Sequence, residues 1–292
     1  MSWTQLTPRS QEALRQEPYD RWIAIGGVCM AEFYRETGGY LIRFPGQADF
    51  KLSPDDGGYT VAAWPVPGCD DQSLDNLYHN AIQPILGNHA GGLFLHGSAV
   101  MIDAPHGDSN KAGAIAFLGL SRAGKTTLAG SFARAGFPFL TEDVIDLQRR
   151  EGEYWVQPKR SKLRLFADSA HHLIGDETQF ADLNTKQDVD GGEAFPFVQS
   201  EVPLRHIYVL GTDHAAPLAI RQLAMAQALR TLMPHAFILD VDDRSRLKEH
   251  FGRMADLAQN IPCFSLDFTR DYAELRSVRA ALLESFASSQ RP

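Results

Sequence analysis

The feature that most constrains this chain is the loop G-L-S-R-A-G-K-T at residues 119–126. It matches the phosphate-binding pattern G-x-x-x-x-G-K-[ST]. The apolar run 112–118 before it predicts a buried strand, and residues 127–135 after it predict a short helix that ends at Gly136. Glycines let backbone N–H groups approach phosphate oxygens, and a helix N-terminus favours anions. A glycine-rich turn without a ligand is the alternative, but the strand and helix on either side favour a phosphate site.

Individual residues of this phosphate loop have expected roles. Lys125 is expected to reach the outer phosphates of a nucleotide, and the Thr126 hydroxyl is expected to ligate Mg²⁺. Arg122 either lies over the phosphates or faces solvent. Nucleotide contacts are predicted for the loop and its next residue: Gly119, Leu120, Ser121, Arg122, Ala123, Gly124, Lys125, Thr126 and Thr127.

An acidic pair, Glu142 and Asp143, follows the next apolar run after the loop helix. A strand–loop–helix–strand unit brings the end of its second strand beside the phosphate loop. Phosphoryl transfer needs a metal and a group that positions or deprotonates the nucleophile. One carboxylate can hold Mg²⁺ through water and the other can accept a hydroxyl proton. We therefore predict Thr126, Glu142 and Asp143 as metal-site residues and both acids as catalytic, an acidic turn being the alternative.

Other candidate residues lie near these motifs in the sequence. His96 closes the strand before the loop strand, where it could orient Asp143, contact a phosphate or serve a structural role. The polar, acidic segment 175–192 is interpreted as a mobile loop, either a lid or substrate guide or a solvated insertion. A basic cluster is expected to bind the γ-phosphate side or an anionic substrate, a solvated charged face being the alternative. Its members are Lys159, Arg160, Lys162 and Arg164.

The pattern of apolar runs divides the chain into two predicted domains, 1–88 and 89–292. The first is a small, mostly antiparallel β unit with a linking helix over 73–85. Its strands are predicted at residues 21–25, 28–34, 39–44 and 59–64. The second alternates strands and helices and ends in helices. Two apolar stripes there predict core packing, one at Leu247, Phe251, Met254 and Leu257, the other at Leu275, Val278, Leu282 and Phe286.

Composition excludes several classes of partner. The net charge is −8 with no long basic run, so neither nucleic acid nor an anionic membrane is expected to bind. Cys29, Cys69 and Cys263 fit no disulfide framework or zinc pattern, which indicates a reducing, cytoplasmic setting. No signal-like or membrane-spanning apolar run is found.

The motifs in this order resemble the catalytic domain of HPr kinase/phosphorylase and its shorter relatives. The resemblance rests on His96-Gly-Ser-Ala-Val, the phosphate loop, and Thr141-Glu-Asp-Val, and it is clear over residues 91–170. It implies an α/β P-loop kinase domain of the HPr kinase/phosphoenolpyruvate carboxykinase-like type. It further implies ATP with Mg²⁺ and transfer to a serine hydroxyl. On the same resemblance Lys125 binds nucleotide, Asp143 is the base, Glu142 serves the metal and His96 supports the site.

The chain departs from that family in two respects, one that concerns metal placement and one that concerns the substrate. The pair is usually Asp-Asp, and here it is Glu142-Asp143. The glycine-rich segment that binds HPr is not found, and the N-terminal unit differs from the usual regulatory domain. The expected acceptor is therefore a serine of another peptide or protein, such as the lasso-peptide precursors that shorter relatives phosphorylate. The alternatives are a small-molecule kinase acting on free serine, phosphoenolpyruvate carboxykinase itself, and a non-catalytic nucleotide-binding regulator. The family forms rings, so a homo-oligomer is compatible with the resemblance.

Overall fold

A computed structural model describes residues 3–24, 26–102, 112–160, 162–175, 186–190 and 195–289. The chain divides into two compact units. The first comprises Met1–Gly91 with Phe237–Leu247, and the second comprises Gly92–Ala236 with Lys248–Pro292. Most of the polar segment 175–192 lies outside the described residues.

In the first unit, the described strands form one six-stranded sheet in the order β1-β6-β5-β4-β3-β2. Every neighbouring pair is antiparallel except β1 with β6. This agrees with the mostly antiparallel β unit that the sequence predicts. The strands are β1 Trp3–Gln5, β2 Asp20–Ile23, β3 Cys29–Glu36, β4 Gly39–Phe44, β5 Ala48–Asp55 and β6 Gly58–Pro65.

Strand β5 is a difference from the sequence-based prediction, which assigned no strand to that stretch. The stretch contains Asp49, whose charge obscures the apolar pattern. In the structure Asp49 is buried and accepts two hydrogen bonds from the Arg43 guanidinium, at 2.9 Å each. Such a paired carboxylate can be buried, because its partner replaces the lost water.

The rest of the first unit consists of a helical segment and a returning piece of chain. The helical segment runs through α1 Asp71–Leu77, a π-helical turn Tyr78–Ile82 and α2 Gln83–His89. It is longer at both ends than the predicted helix 73–85. The sequence-based boundary after residue 88 placed Phe237–Leu247 in the second domain. In the structure that segment packs with the first unit, where Asp240 accepts hydrogen bonds from Arg35 and Tyr40.

In the second unit, the described residues form a mixed sheet in the order β11-β10-β7-β8-β14-β16-β15. β8, β14 and β16 are mutually parallel, whereas β7 is antiparallel to β8, β9 and β10. The sheet curls so that β11 also pairs with β14. The strands are β7 Leu93–Ile102, β8 Gly113–Leu118, β9 Phe139–Thr141, β10 Val144–Arg150, β11 Glu153–Gln157, β14 Val202–Leu210, β15 Ala219–Gln222 and β16 Cys263–Asp267.

Among the described residues, the remaining elements of this unit are a two-stranded ribbon, five α-helices and two short 3-10 helices, Met233–His235 and Tyr272–Glu274. The ribbon pairs β12 Lys162–Leu165 with β13 Gln187–Asp190 in antiparallel register. The α-helices are α3 Lys125–Arg134, α4 Ala167–Ile174, α5 Met225–Leu232, α6 Arg244–Asn260 and α7 Leu275–Ser289. Over the described residues, no helix is long and apolar enough to cross a membrane.

Strand β7 continues through His96-Gly97, whereas the sequence analysis has His96 closing a strand. Gly97 is buried and close to its neighbours on the adjacent strands. A Cβ at this position would lie 2.5 Å from Leu118 Cδ2 and 2.7 Å from Phe117 O. The glycine is therefore explained by close packing of strands rather than by a turn.

Apolar cores cover both faces of the mixed sheet. On one face the predicted α7 stripe is confirmed, with Leu275, Val278, Leu282 and Phe286 all buried. On the other face the predicted α6 stripe is only partly right. Met254 and Leu257 are buried, but Phe251 is 51% exposed and His250 is buried instead. The buried face of α6 is rotated from the predicted one, so one of its core positions is occupied by the imidazole of His250.

Candidate active site

The phosphate loop joins the end of β8 to the start of α3. Gly119 and Gly124 have φ angles of 154° and 93°, which L side chains rarely adopt. A Cβ on Gly119 would also meet the Cβ atoms of Ala123 and Leu210, each at 3.1 Å. Arg122 has a φ of 63° without being glycine, so the loop holds one residue in a sparsely populated conformation. The backbone therefore adopts the tight curl that a phosphate-binding loop needs.

Lys125 lies inside this curl. Its Nζ donates to the carbonyl oxygens of Gly119 and Leu120, both at 3.0 Å. The residue is 6% exposed, and burial together with the nearby Lys186 lowers the pKa of its ammonium to about 8. The Lys125 ammonium is thus a desolvated cation held against the carbonyl oxygens of the phosphate loop.

The acidic pair lies in a tight turn between β9 and β10. Asp143 has a φ of 66°, and Val144 N donates to Glu142 O at 2.9 Å. Both acids are nearly buried, at 8% exposure each. The Thr126 hydroxyl donates to Glu142 Oε1 at 2.7 Å. The tertiary structure thus brings together the three residues predicted as the metal site, across the phosphate loop and the end of β9.

A fourth residue, Lys186, was missed by the sequence analysis. Its Nζ lies 2.7 Å from Glu142 Oε1, 3.1 Å from Asp143 Oδ1 and 3.2 Å from Thr126 Oγ1. It precedes β13, within the segment interpreted from sequence as a lid or insertion. One sequence signal could have found it, because Lys186 is the only lysine or arginine between Arg164 and Arg205.

The two carboxyls of the pair have opposite pKa shifts. Burial, then repulsion from Asp143, raises the pKa of Glu142 to about 7. Burial acts to raise the pKa of Asp143 as well, but the cations Lys186 and Arg164 outweigh it and hold that pKa below its usual range. Arg164 Nη1 lies 3.4 Å from Asp143 Oδ2. Asp143 is therefore the more firmly ionised member of the pair.

His96 supports the turn that carries the acids. Its Nδ1 donates to Asp143 O at 2.9 Å, and Gly97 N donates to the same carbonyl at 3.1 Å. Burial, then the charge of Lys125, lowers the pKa of the imidazole to about 4, so the ring is neutral at neutral pH. The sequence analysis left three roles open for His96: orienting Asp143, contacting a phosphate, or a structural role. The bond to Asp143 O matches the first, and it acts through the backbone of Asp143.

These residues border a cavity of about 410 Å³. Of the predicted nucleotide-binding residues, six line it: Ser121, Arg122, Gly124, Lys125, Thr126 and Thr127. The side chain of Leu120 is exposed, Ala123 is buried, and Gly119 shapes the loop. Asp143 and His96 line the cavity, whereas Glu142 lies behind them against Thr126.

Aromatic rings and hydroxyl groups also line the cavity. Thr127 Oγ1 and Ser169 Oγ are 2.9 Å apart, and Ser169 Oγ lies 3.2 Å from the Tyr272 hydroxyl. The Arg122 guanidinium lies 5.2 Å from the centre of the Phe166 ring. A wall of this kind, apolar with a few polar groups, suits the base and ribose of a nucleotide.

The phosphate loop is tied to the neighbouring strand ends by a further residue that the sequence analysis did not identify. Arg270, just after β16, donates from Nε to Ala123 O at 3.0 Å and from Nη2 to Gly211 O at 2.9 Å. Its stem also approaches Gly124, where a Cβ would lie 3.7 Å from Arg270 Cδ. Arg270 thus connects the loop to the ends of β14 and β16.

The basic cluster predicted from sequence does not act as one surface. Lys159 pairs with Asp146 at 2.8 Å, and Lys162 lies 3.8 Å from Asp188. Of the basic cluster, Arg164 alone is among the described residues that line the cavity. Lys162 and Arg164 are two residues apart on β12, so they share one face of the ribbon, where both approach Asp188, at 3.8 and 3.4 Å.

The site has oxygen donors that suit Mg²⁺. Glu142 Oε1, Asp143 Oδ1 and Thr126 Oγ1 already converge on one cation, the Lys186 ammonium. No group of three or more His, Cys, Asp or Glu side chains that could hold a metal occurs among the described residues. Mg²⁺ in phosphoryl-transfer sites is bound by one or two carboxylates plus substrate phosphates and water. Two acids and a hydroxyl fit this pattern.

Comparisons of the chain with known proteins returned matches among solved structures. No family model matches the chain, and no curated protein sequence matches it. Among solved structures, the chain is similar to the HPr(Ser) kinase/phosphatase of Coxiella burnetii, with 12% sequence identity and a TM-score of 0.39. That similarity covers 68% of this chain and 99% of the other.

Proposed function

We propose that this chain is an ATP-dependent kinase that transfers the γ-phosphate to a hydroxyl group. The observation that carries the proposal is the 2.7 Å bond from the Thr126 hydroxyl to Glu142, with Asp143 beside it on the cavity wall. This bond joins the phosphate loop, through Thr126, to the acidic pair, through Glu142. A loop that only bound nucleotide would not need two nearly buried carboxylates at its metal-ligating threonine, because burying charges costs free energy.

Each residue has a role that follows from its position. Lys125 and the loop N–H groups hold the β- and γ-phosphates. Thr126 and Glu142 hold the divalent cation, with Asp143 adjacent, and that cation supplies neutralisation of the phosphate charge when bound. Asp143 lines the cavity as an ionised carboxylate and accepts the proton of the acceptor hydroxyl. His96 fixes the Asp143 backbone through the 2.9 Å bond to its carbonyl.

The acceptor proposed here is a serine of a peptide or protein, with a lasso-peptide precursor as one candidate. The resemblance of the motifs supports a serine hydroxyl. Arg164 adds a cation to the cavity wall beside Asp143, which would attract an acidic or carboxylate-bearing segment. We also propose a cytoplasmic setting, which the three free cysteines support.

The transfer step is tested with γ-labelled ATP and Lys125→Met. We expect loss of phosphate transfer to any accepted substrate, because the ammonium faces the phosphates. The matched control is Lys248→Met, since Lys248 is an exposed lysine on α6. Full transfer activity in Lys125→Met would refute the kinase proposal.

The acceptor is tested by comparing kcat/KM on serine-containing precursor peptides with kcat/KM on free serine. We expect the peptides to be the better substrates. If free serine is preferred, the small-molecule alternative replaces the peptide proposal and the kinase assignment stands.

A further inference from the structure

We propose that Lys186 is a resident cation of the metal position, held there by the oxygen atoms of Thr126, Glu142 and Asp143 until a divalent cation displaces it. The proposal rests on the proposed function for the role of that oxygen cluster. It assigns Lys186 a part in cation binding that neither the loop motif nor the acidic pair includes.

The first support is the geometry of the contacts. A lysine ammonium has three N–H donors and no acceptor. Three oxygen atoms lie within hydrogen-bond distance of Lys186 Nζ, at 2.7, 3.1 and 3.2 Å. They belong to the three residues that the sequence analysis predicts as metal ligands. The ammonium therefore has a full set of partners in the place where a hard cation would be coordinated.

The second support is the burial of this cluster. The side chains of Glu142, Asp143 and Lys186 are 3%, 11% and 22% exposed. Two adjacent buried carboxylates need a compensating charge, because burial without one is costly. Lys186 supplies that charge when no metal is bound. Arg164 is a second cation, and its Nη1 lies 3.4 Å from Asp143 Oδ2. Among the described contacts, Arg164 does not reach Glu142 or Thr126.

The third support is mutual exclusion. Mg²⁺ binds oxygen ligands at about 2.0–2.1 Å. An ion at that distance from the same three oxygen atoms would overlap the ammonium position, and two cations so close repel strongly. Divalent metal and the Lys186 ammonium cannot both occupy the cluster. Metal binding must therefore move the lysine side chain.

The ribbon that begins just after Lys186 can remain in place during this exchange. Arg164 and Asp188 are paired across β12 and β13, and Arg164 Nε lies 3.4 Å from Asp188 Oδ1. This pair holds the start of β13 beside the site. A lysine side chain is long and flexible, so the ammonium can leave the oxygen cluster while the backbone stays.

The first experiment measures Mn²⁺ affinity of the nucleotide-free full chain by electron paramagnetic resonance. We expect Lys186→Met to bind Mn²⁺ about tenfold or more tightly than the natural chain, because the competing charge-assisted bonds are lost. Lys186→Arg keeps the charge and should bind Mn²⁺ no more tightly than the natural chain. Lys162→Met removes a charge from the neighbouring ribbon, where the described ion pair of Lys162 is with Asp188, and should leave the affinity close to that of the natural chain.

The second experiment uses the natural chain, so it does not depend on the folding of a variant. Lysines are labelled briefly with acetic anhydride, with and without Mn²⁺, and the sites are quantified by mass spectrometry. We expect Mn²⁺ to increase labelling of Lys186 severalfold relative to Lys162, because the displaced side chain leaves its three oxygen partners and becomes accessible to the reagent. Unchanged or decreased labelling of Lys186 would overturn the proposal.

The outcomes separate this proposal from the proposed function. If Glu142→Gln binds Mn²⁺ as well as the natural chain does, the cluster is not the metal site, and both proposals lose that support. If Glu142→Gln weakens binding but Lys186→Met has unchanged or weaker Mn²⁺ affinity, the metal site stands and the Lys186 proposal fails. Tighter binding by Lys186→Met, with Lys162→Met unchanged, supports the resident-cation role.

Discussion

Asp143 shows how backbone conformation and chemistry meet in one residue. Its φ of 66° is in the left-handed region, which aspartate and asparagine tolerate better than most residues. Its carbonyl accepts two hydrogen bonds, from His96 Nδ1 and Gly97 N, which hold this conformation. Strained positions of this kind cluster at functional sites. The turn presents the Asp143 carboxylate to the cavity while Glu142 contacts Thr126.

The test at this scale is Asp143→Asn. Asparagine tolerates the same backbone conformation, so the fold should be retained and nucleotide affinity should change little. Turnover should fall about a hundredfold to ten-thousandfold, because a general base is lost. Steady-state kinetics measures turnover, and nucleotide titration checks binding. Turnover near that of the natural chain would show that the residue only shapes the turn.

At the scale of elements, the phosphate loop after β8 is held by a residue that follows β16, a strand two positions away in the sheet. Arg270 lies next to the C-terminal end of β16, and it reaches the loop at Ala123 and the end of β14 at Gly211. The parallel strands β8, β14 and β16 place their ends at one edge of the sheet, which brings these carbonyls within reach of one side chain. The loop is thus held by its own glycines and by a distant arginine.

We expect Arg270→Met to weaken nucleotide binding about fivefold to tenfold. Bonds from a charged donor contribute about 1.5–3 kcal/mol, and part of that free energy keeps the loop in the conformation that binds nucleotide. The measurement is calorimetric titration with a non-hydrolysable ATP analogue. Arg221→Met is the matched control, because Arg221 is a 73% exposed arginine on the neighbouring strand β15. Unchanged affinity in Arg270→Met would mean that the loop keeps its shape without this residue.

At the scale of the whole molecule, the chain returns to its first unit late in the sequence. Asp240 accepts from Arg35 Nε at 3.0 Å and from the Tyr40 hydroxyl at 3.1 Å, and it is 8% exposed. Burial acts to raise the pKa of Asp240, but the bond from Arg35 and its other hydrogen bonds lower the net pKa to about 2. This ion pair ties Phe237–Leu247 to β3 within that unit.

We expect Arg35→Met to lower the free energy of unfolding by about 1 kcal/mol at pH 6. The value is at the low end for a charged bond because the Arg35 side chain is 42% exposed and water screens it. Since the folded pKa of Asp240 is depressed, its contribution is present above the unfolded value of about 3.9 and is lost as the pH falls toward about 2. The difference between the natural chain and the variant should therefore shrink at pH 3.

The measurement for Arg35→Met is urea unfolding followed by tryptophan fluorescence, since Trp22 packs beside Phe237. Arg21→Met is the control, because Arg21 pairs with Glu17 and Glu32 at the surface. An equal difference at both pH values would show that the loss of stability comes from packing rather than from the ion pair.

The sequence alone determined the parts of this protein that are local along the chain. The phosphate loop, its strand and its helix are contiguous, so their glycines and apolar runs predict both structure and ligand. Thr126 and the acidic pair are separated by one helix and one strand, and that short path brings them together. The α7 stripe was predictable for a similar reason, because the period of the apolar residues shows which face of a helix is buried.

Only the tertiary structure decided which distant charges meet. Lys186 lies 43 residues after Asp143 in sequence, yet its ammonium contacts the acidic pair. Asp49 and His250 are polar residues that the structure buries. Asp49 is buried beside Arg43, which donates to it, and His250 is buried because it lies on the inward face of α6. Such pairings depend on where long connections bring the chain, and no local pattern encodes that path. The sequence therefore predicted a phosphate site with two acids, and the fold supplied the lysine and the arginine that complete its charge balance.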